Sequence, residues 1–183
     1  MEMETTGKVM QGTLCAIALL ALAACSVVGV RPSPLLDGGA RWAVVPFSNQ
    51  ADAPDAGARA AAIAAARLRL RGLAVTEYSP PPPDPRALPD LDGERGHRAG
   101  LAWARRGGFQ YILTGSVQEW RYKSGLDGEP AAGITVQVLD AASGRVLWSA
   151  TGARAGWGRA SVAGTAQRLL RRLLAGLRID RGG

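Results

Sequence analysis

The sequence predicts an α/β chain of the α+β kind: a single β-α-β-α-β-β-β-α domain whose mixed sheet includes an antiparallel meander and has helices packed on it. Three observations lead there. Short apolar runs alternate with helix-forming stretches in the first half of the chain. Between residues 111 and 150, three strand-like runs follow one another across tight turns, and from residue 162 onward leucines recur at helical spacing. The chain has 183 residues. Without residues 1–24 it keeps enough length for one cored domain and too little for two.

The N-terminus stands apart. Lys8 precedes an apolar run from Leu14 to Leu22 that ends in Leu22-Ala23-Ala24-Cys25. A positive start, an apolar centre and small residues at a cleavage point make a secretory signal, and the run is too short to span a bilayer. Residues 1–24 are therefore expected to be a signal peptide that is removed. A cysteine directly after the small residues resembles the bacterial lipoprotein form of that signal, in which the thiol of Cys25 takes a diacylglycerol and becomes the new N-terminus. Cysteine usage agrees, because Cys15 lies in the discarded segment and leaves one cysteine without a disulfide partner in an oxidising compartment. The expected anchor is lipid rather than a spanning helix. Ser26 follows the cysteine, and a residue other than aspartate there resembles the outer-membrane address, on the periplasmic leaflet.

Residues 25–40 hold Pro32, Pro34 and Gly38-Gly39 without periodicity and read as a lipidated tether. Its reach is at most roughly 50 Å. The globular domain is expected over 41–179. Trp42-Ala43-Val44-Val45-Pro46-Phe47 suits a buried strand with proline near its end. Asp55 is the expected N-cap of an Ala-rich helix over 56–71, with Gly72 at C′. Leu73 to Tyr78 reads as a second strand, and Pro80 to Pro83 with Pro85 imposes an extended loop over 79–91.

Residues 94–106 form a short helix with Leu101, Ala102 and Trp103 as its apolar side, closed by Gly107-Gly108. Tyr111 to Val117 is a third strand that continues through Trp120 and Tyr122 into a turn-rich tip from Lys123 to Pro130. Ile134, Val136 and Val138 then alternate with Thr135 and Gln137, completing a long hairpin. Asp140 to Gly144 turns the chain into a fifth strand, 145–150. In the last element Val162, Ala166, Leu169, Leu170, Leu173, Leu174 and Leu177 share a face that avoids Arg168, Arg171, Arg172 and Arg178, so an amphipathic helix is expected to cover the sheet.

The formal net charge is +7, and it rises once residues 1–24, with Lys8, Glu2 and Glu4, are gone. Nearly all cations are arginines, whose tightest groups (Arg67, Arg69, Arg71; Arg168, Arg171, Arg172) fall on predicted helix faces, and a periplasmic chain is not expected to bind nucleic acid. His97 is the only histidine, and no Ser/His/Asp set, HExxH, CxxC or GxxxxGK[ST] motif occurs. Asp90, Asp92 and Glu94 beside His97 lack the glycine placement of an EF-hand loop. Glu119, Asp127, Glu129 and Asp140 leave a glycosidase carboxylate pair open, but nothing marks two of them as a pair. The expectation is a protein that is not an enzyme, with no catalytic residue, no metal and no cofactor other than the covalent lipid on Cys25. Trp157, in Gly156-Trp157-Gly158, has two readings: an indole at headgroup level, or a loop aromatic capping the sheet. Trp42, Trp103 and Trp148 are expected in the core.

Arg41 to Gln50 with Pro54-Asp55-Ala56-Gly57, and Gly108 to Val117, resemble the opening and internal strands of the periplasmic domain shared by CsgG-like, LpoB-like and TolB N-terminal proteins. More specifically, Gly144 to Ala150, then Gly156-Trp157-Gly158, then Ser161 to Gln167 are similar to the PelC family of outer-membrane lipoproteins. That resemblance implies a part in Pel exopolysaccharide export: a homo-oligomeric, dodecameric ring beside a PelB-like export porin, in contact with the polymer and the lipid bilayer. It implies membrane contact for Trp157. It also implies acidic residues facing a cationic polymer, for which the hairpin-tip Asp127 and Glu129 are the candidates. An acidic path in so basic a chain requires the arginines to lie elsewhere, toward phosphate-bearing lipids. The alternative is an LpoB-like activator of peptidoglycan synthesis, which shares the fold but needs a longer tether. A CsgG-like spanning barrel is not expected, because Glu119, Arg121, Lys123, Asp127 and Glu129 interrupt the hairpin.

Overall fold

A computed structural model describes residues 26–82, 90, 93–124, 128–157 and 160–180. In chain order the elements are β1 (Ser26–Val30), β2 (Leu35–Asp37), β3 (Trp42–Val44), β4 (Ser48–Asn49), α1 (Ala56–Arg69), β5 (Val75–Glu77), α2 (Glu94–Arg106), β6 (Tyr111–Tyr122), β7 (Pro130–Asp140), β8 (Val146–Ala155), α3 (Val162–Leu174) and β9 (Arg178–Asp180). The main sheet runs β1-β8-β7-β6-β3-β5, with β4 also beside β6. β5, β3 and β6 are parallel, as βαβ crossovers through α1 and α2 require. β6, β7, β8 and β1 are antiparallel. The mixed α+β sheet with its meander is thus the architecture expected.

The expected tether is corrected. Residues 26–30 form β1, paired from Ser26 opposite Arg154 to Val30 opposite Ala150, and residues 35–37 pair with β9 in a separate two-stranded ribbon. The reason is local. Val27, Val28 and Val30 are β-branched residues suited to a half-buried pleat, and Val28 packs on the core. Trp148 Nε1 donates to the Arg31 carbonyl at 3.0 Å, and the Arg178 amide donates to Ser33 Oγ at 3.1 Å. Pro32 and Pro34 therefore sit in a pinned connection between two strands rather than in a spacer.

Pro46 lacks an amide hydrogen, so the expected 42–47 strand breaks after Val44 and resumes as β4. Asp55 occupies the N-cap position of α1 at φ 58°, yet its side chain makes no capping bond. The helix entry is fixed instead by Gly57, which lies so close to the Phe47 carbonyl that a Cβ would collide with it, while the Phe47 amide donates to the Gly57 carbonyl at 3.2 Å. Ser161 caps α3 conventionally, accepting from the Gly164 amide.

α1 and α3 cover one sheet face. Trp42, Leu68, Ile134, Trp148, Leu169 and Leu173 are buried there in one apolar cluster. Each buried leucine or isoleucine contributes about 1.5–3 kcal/mol by leaving water. α2 covers a smaller patch on the opposite face, over Ala43, Val45, Phe109, Ile112 and Leu139. Here Gly100 and Ala104 are the buried residues, because the helix approaches Val45 closely. Leu101, Ala102 and Trp103 are half-buried, and Trp103 lies between the Tyr78 and Phe109 rings. Beyond α2 the same face is polar: Thr135 bonds Thr151, and Gln118 bonds both Ser116 and Thr135.

Candidate functional site

The register of three strands brings the candidate residues to one end of the sheet. β1 starts at Ser26, opposite Arg154 near the end of β8. Ala131 pairs with Ala155, and the Gly156 amide donates to the Pro130 carbonyl at 2.6 Å. Glu129 and Trp157 are the next residues outward on their two segments. The hairpin closes there through the Lys123 amide and the Glu129 carbonyl at 2.7 Å. Ser26, Glu129 and Trp157 thus share one rim. Cys25 and Asp127 lie outside the described residues, as do residues 1–24 and most of the expected proline-rich loop.

Trp157 is 67% exposed, so it does not cap the sheet. Gly156 explains why: a Cβ there would lie 2.7 Å from both Pro130 Cγ and Thr165 Oγ1. The backbone is pressed against the domain at Gly156, and the indole is left outside. A large aromatic is thus held in water by its own backbone. Tyr122, 57% exposed at the same rim, belongs with it. Sequence reading passed over it as the end of a strand, although an aromatic just before a turn was the available signal. Glu129 is half-buried, and Glu119 is paired with Arg121 at 3.1 Å.

The opposite end has another character. α1, α2 and α3 all finish there: α1 leads into β5 and α2 into β6, whose first residues, Val75 and Tyr111, both pair with Trp42. Each helix carries two arginines in its last turn, Arg67 and Arg69, Arg105 and Arg106, Arg171 and Arg172. The ends of α1 and α3 meet on one face of the sheet and that of α2 lies on the other, and cations are stabilised beside each negative dipole end. Arg71 adds a direct cap, its two terminal nitrogens donating to the Leu174 and Leu177 carbonyls at 2.6 Å each. β6 runs from Tyr111 at this end to Tyr122 at the Trp157 rim, but α3 is shorter and starts against Gly156 at Thr165, so at 1.5 Å per residue Arg171 lies within roughly 20 Å of that rim. Helix direction accounts for where these last-turn arginines sit.

The remaining candidates have structural duties. His97 Nδ1 bonds the Pro46 carbonyl at 2.7 Å, Ser48 Oγ donates to Glu94, and Asp90 accepts from the Arg95 and Gly96 amides. Among the described residues no group of three or more His, Cys, Asp and Glu side chains is placed to hold a metal ion. Asp140 accepts from the hydroxyl and amide of Ser143, which hold its carboxyl below the ordinary 3.8. It pairs with Tyr111 at the arginine pole, a strand's length from Glu129 and far beyond the roughly 10 Å that a glycosidase pair spans. Among the described residues no helix is long and apolar enough to cross a membrane.

No protein-family model and no curated protein matches the chain. Among solved structures, the PelC dodecamer from Paraburkholderia phytofirmans is 36% identical, aligns over 85% of this chain and 99% of its own, and superposes with a TM-score of 0.70. This chain belongs to the PelC family. A single-substitution form of the same PelC, also a dodecamer, gives the same values in a second crystal form. The lipoprotein GNA1162 from Neisseria meningitidis is 19% identical over 74% of this chain and 96% of its own, with a TM-score of 0.51, and shows the fold alone.

Proposed function

We propose that this chain is a lipid-anchored component of a Pel-like exopolysaccharide export apparatus, on the periplasmic leaflet of the outer membrane. The observation that carries the reading is the rim. β1 begins at the residue directly after Cys25, and Trp157, 67% exposed, stands at the same end of the sheet. An acyl chain on Cys25 and the indole of Trp157 would then meet one bilayer surface, with the lipid supplying affinity and the amphipathic ring fixing orientation.

Family membership supports assembly into a homo-oligomeric ring, since the Paraburkholderia phytofirmans relative is a dodecamer. In a ring each exposed carboxylate is repeated at every protomer. One such group attracts a cationic polymer weakly, whereas a circle of them focuses a negative potential without trapping the chain. Asp127 and Glu129, beside a PelB-like porin, are the proposed groups. The LpoB-like alternative loses its main requirement, because a chain ordered from Ser26 onward has no slack to reach across the cell wall.

The test is the mass of the purified protein by light scattering over a range of concentrations, with negative-stain images. A closed ring is expected, and a monomer at every concentration would count against the reading. Trp157→Ala is expected to reduce polymer export while leaving the thermal midpoint unchanged, because the removed ring makes no core contact. Normal export by that variant would remove Trp157 from the mechanism.

A further inference from the structure

Helix direction does not account for Arg154. It pairs with Ser26 on one side and Ala132 on the other, and Ala132 belongs to the apolar cluster under α1 and α3. Residues directly opposite each other share a face, so Arg154 stands on the face that α3 covers. Two residues on, Gly156 lies against Thr165 at the start of that helix. The Arg154 side chain is half-buried, its Nε is shut off from water without an acceptor, and its guanidinium makes no hydrogen bond or ion pair among the described residues. Arg168 reaches back to the same place, donating to Thr165 Oγ1 at 3.4 Å, and it too has no carboxylate partner among the described residues. The first turn of α3 carries no acidic residue. Two cations thus stand at the positive end of a helix dipole, where anions are favoured and cations are not. A guanidinium taken this far out of water is seldom left unpaired.

We propose that Arg154 and Arg168 bind the phosphate of a lipid headgroup. The source of the phosphate rests on the anchoring proposed above. Ser26, the partner of Arg154, directly follows Cys25, so a diacylglycerol on that cysteine brings the headgroup layer beside the start of β1. Trp157 follows Arg154 by three residues at the same rim and is exposed. The planar guanidinium fork matches two phosphate oxygens and stays charged throughout the physiological range. The covalent anchor keeps the local phosphate concentration high, so a contact too weak to hold the domain by itself still sets how the domain sits on the bilayer.

The experiment titrates phosphatidylglycerol into neutral maltoside micelles holding the detergent-purified full-length protein and follows the thermal midpoint. The midpoint is expected to rise and saturate, since a ligand of the folded state stabilises it. Diacylglycerol, with the same chains and no phosphate, should not move it. Arg154→Gln should weaken the apparent affinity about tenfold, the scale of one lost charge-assisted contact, and Arg154→Lys should keep part of it. The midpoint of each variant without added lipid reports folding separately, and Arg168→Gln, at an exposed position, tests the site without touching the core. Arg171→Gln, in the last turn of the same helix, should leave the titration unchanged. No rise in the unaltered protein, an equal rise with diacylglycerol, or unchanged affinity in both glutamine variants would overturn the proposal. So would a rise with inorganic phosphate in lipid-free micelles and none with phosphatidylglycerol, which would assign the arginines to a free anion. The export reading is judged by ring mass and polymer secretion, so its failure is distinct from failure of this lipid titration.

Discussion

Trp148→Ala is expected to destabilise the domain by about 3–5 kcal/mol, the usual cost of emptying a fully buried aromatic site. The ring is completely buried in the layer under α3. Its indole nitrogen also donates to the Arg31 carbonyl, so the variant loses the bond that holds the end of β1 against β8. Urea unfolding of the two proteins gives the difference, with an unchanged slope if only stability is affected. A loss below about 1 kcal/mol, within the range of an ordinary surface substitution, would show that the site refills and that β1 does not depend on this tryptophan. Trp157→Ala is the internal contrast: the same residue type removed, one fold-determining and one not.

Cys25→Ala is expected to move the protein almost entirely from the membrane fraction to the soluble fraction after alkaline carbonate extraction. The reasoning is additive. Several acyl chains contribute about 0.8 kcal/mol per buried methylene, whereas one interfacial indole per protomer cannot hold a basic domain on a bilayer by itself. Quantitative immunoblotting of the two fractions decides the matter. Retention of the alanine variant in the membrane would end the lipid-anchor reading and would leave the ring or the porin as the attachment.

The long elements were legible because they carry a repeating signal. The 3.6 period of Val162 to Leu174 and the 2.0 period of Ile134 to Val138 each name their own structure, and both appear where expected. The Gly107-Gly108 stop of α2 was equally plain, with Gly108 at φ 67°. The failures concern residues whose structure depends on a distant partner. Ser26 to Val30 carries no turn or periodic signal, and it becomes a strand only because β8 offers an edge more than a hundred residues away. Asp55 looked like a cap by type, but the helix start was decided by how closely Gly57 could approach Phe47. The candidate site was partly legible. Trp157 stood out from its neighbours, whereas its shared rim with Glu129 and Ser26 is a product of register, which no single segment states. The meeting of the α1 and α3 ends was hidden for a similar reason, since Arg71 caps carbonyls of a helix about a hundred residues away.

The pairing of β1 with β8 also imposes an order of events. Arg31 and Trp148, which lock that edge, are 117 positions apart, and contacts of such separation form late because loop closure must precede their reward. A chain emerging from a membrane channel N-terminus first presents Cys25 long before β8 has appeared. During that interval residues 26–30 have no strand to join. Once β8 arrives, β1 is taken into the sheet and the slack vanishes. Under the proposed anchoring, the segment beside Cys25 would become fixed only after β8 has formed.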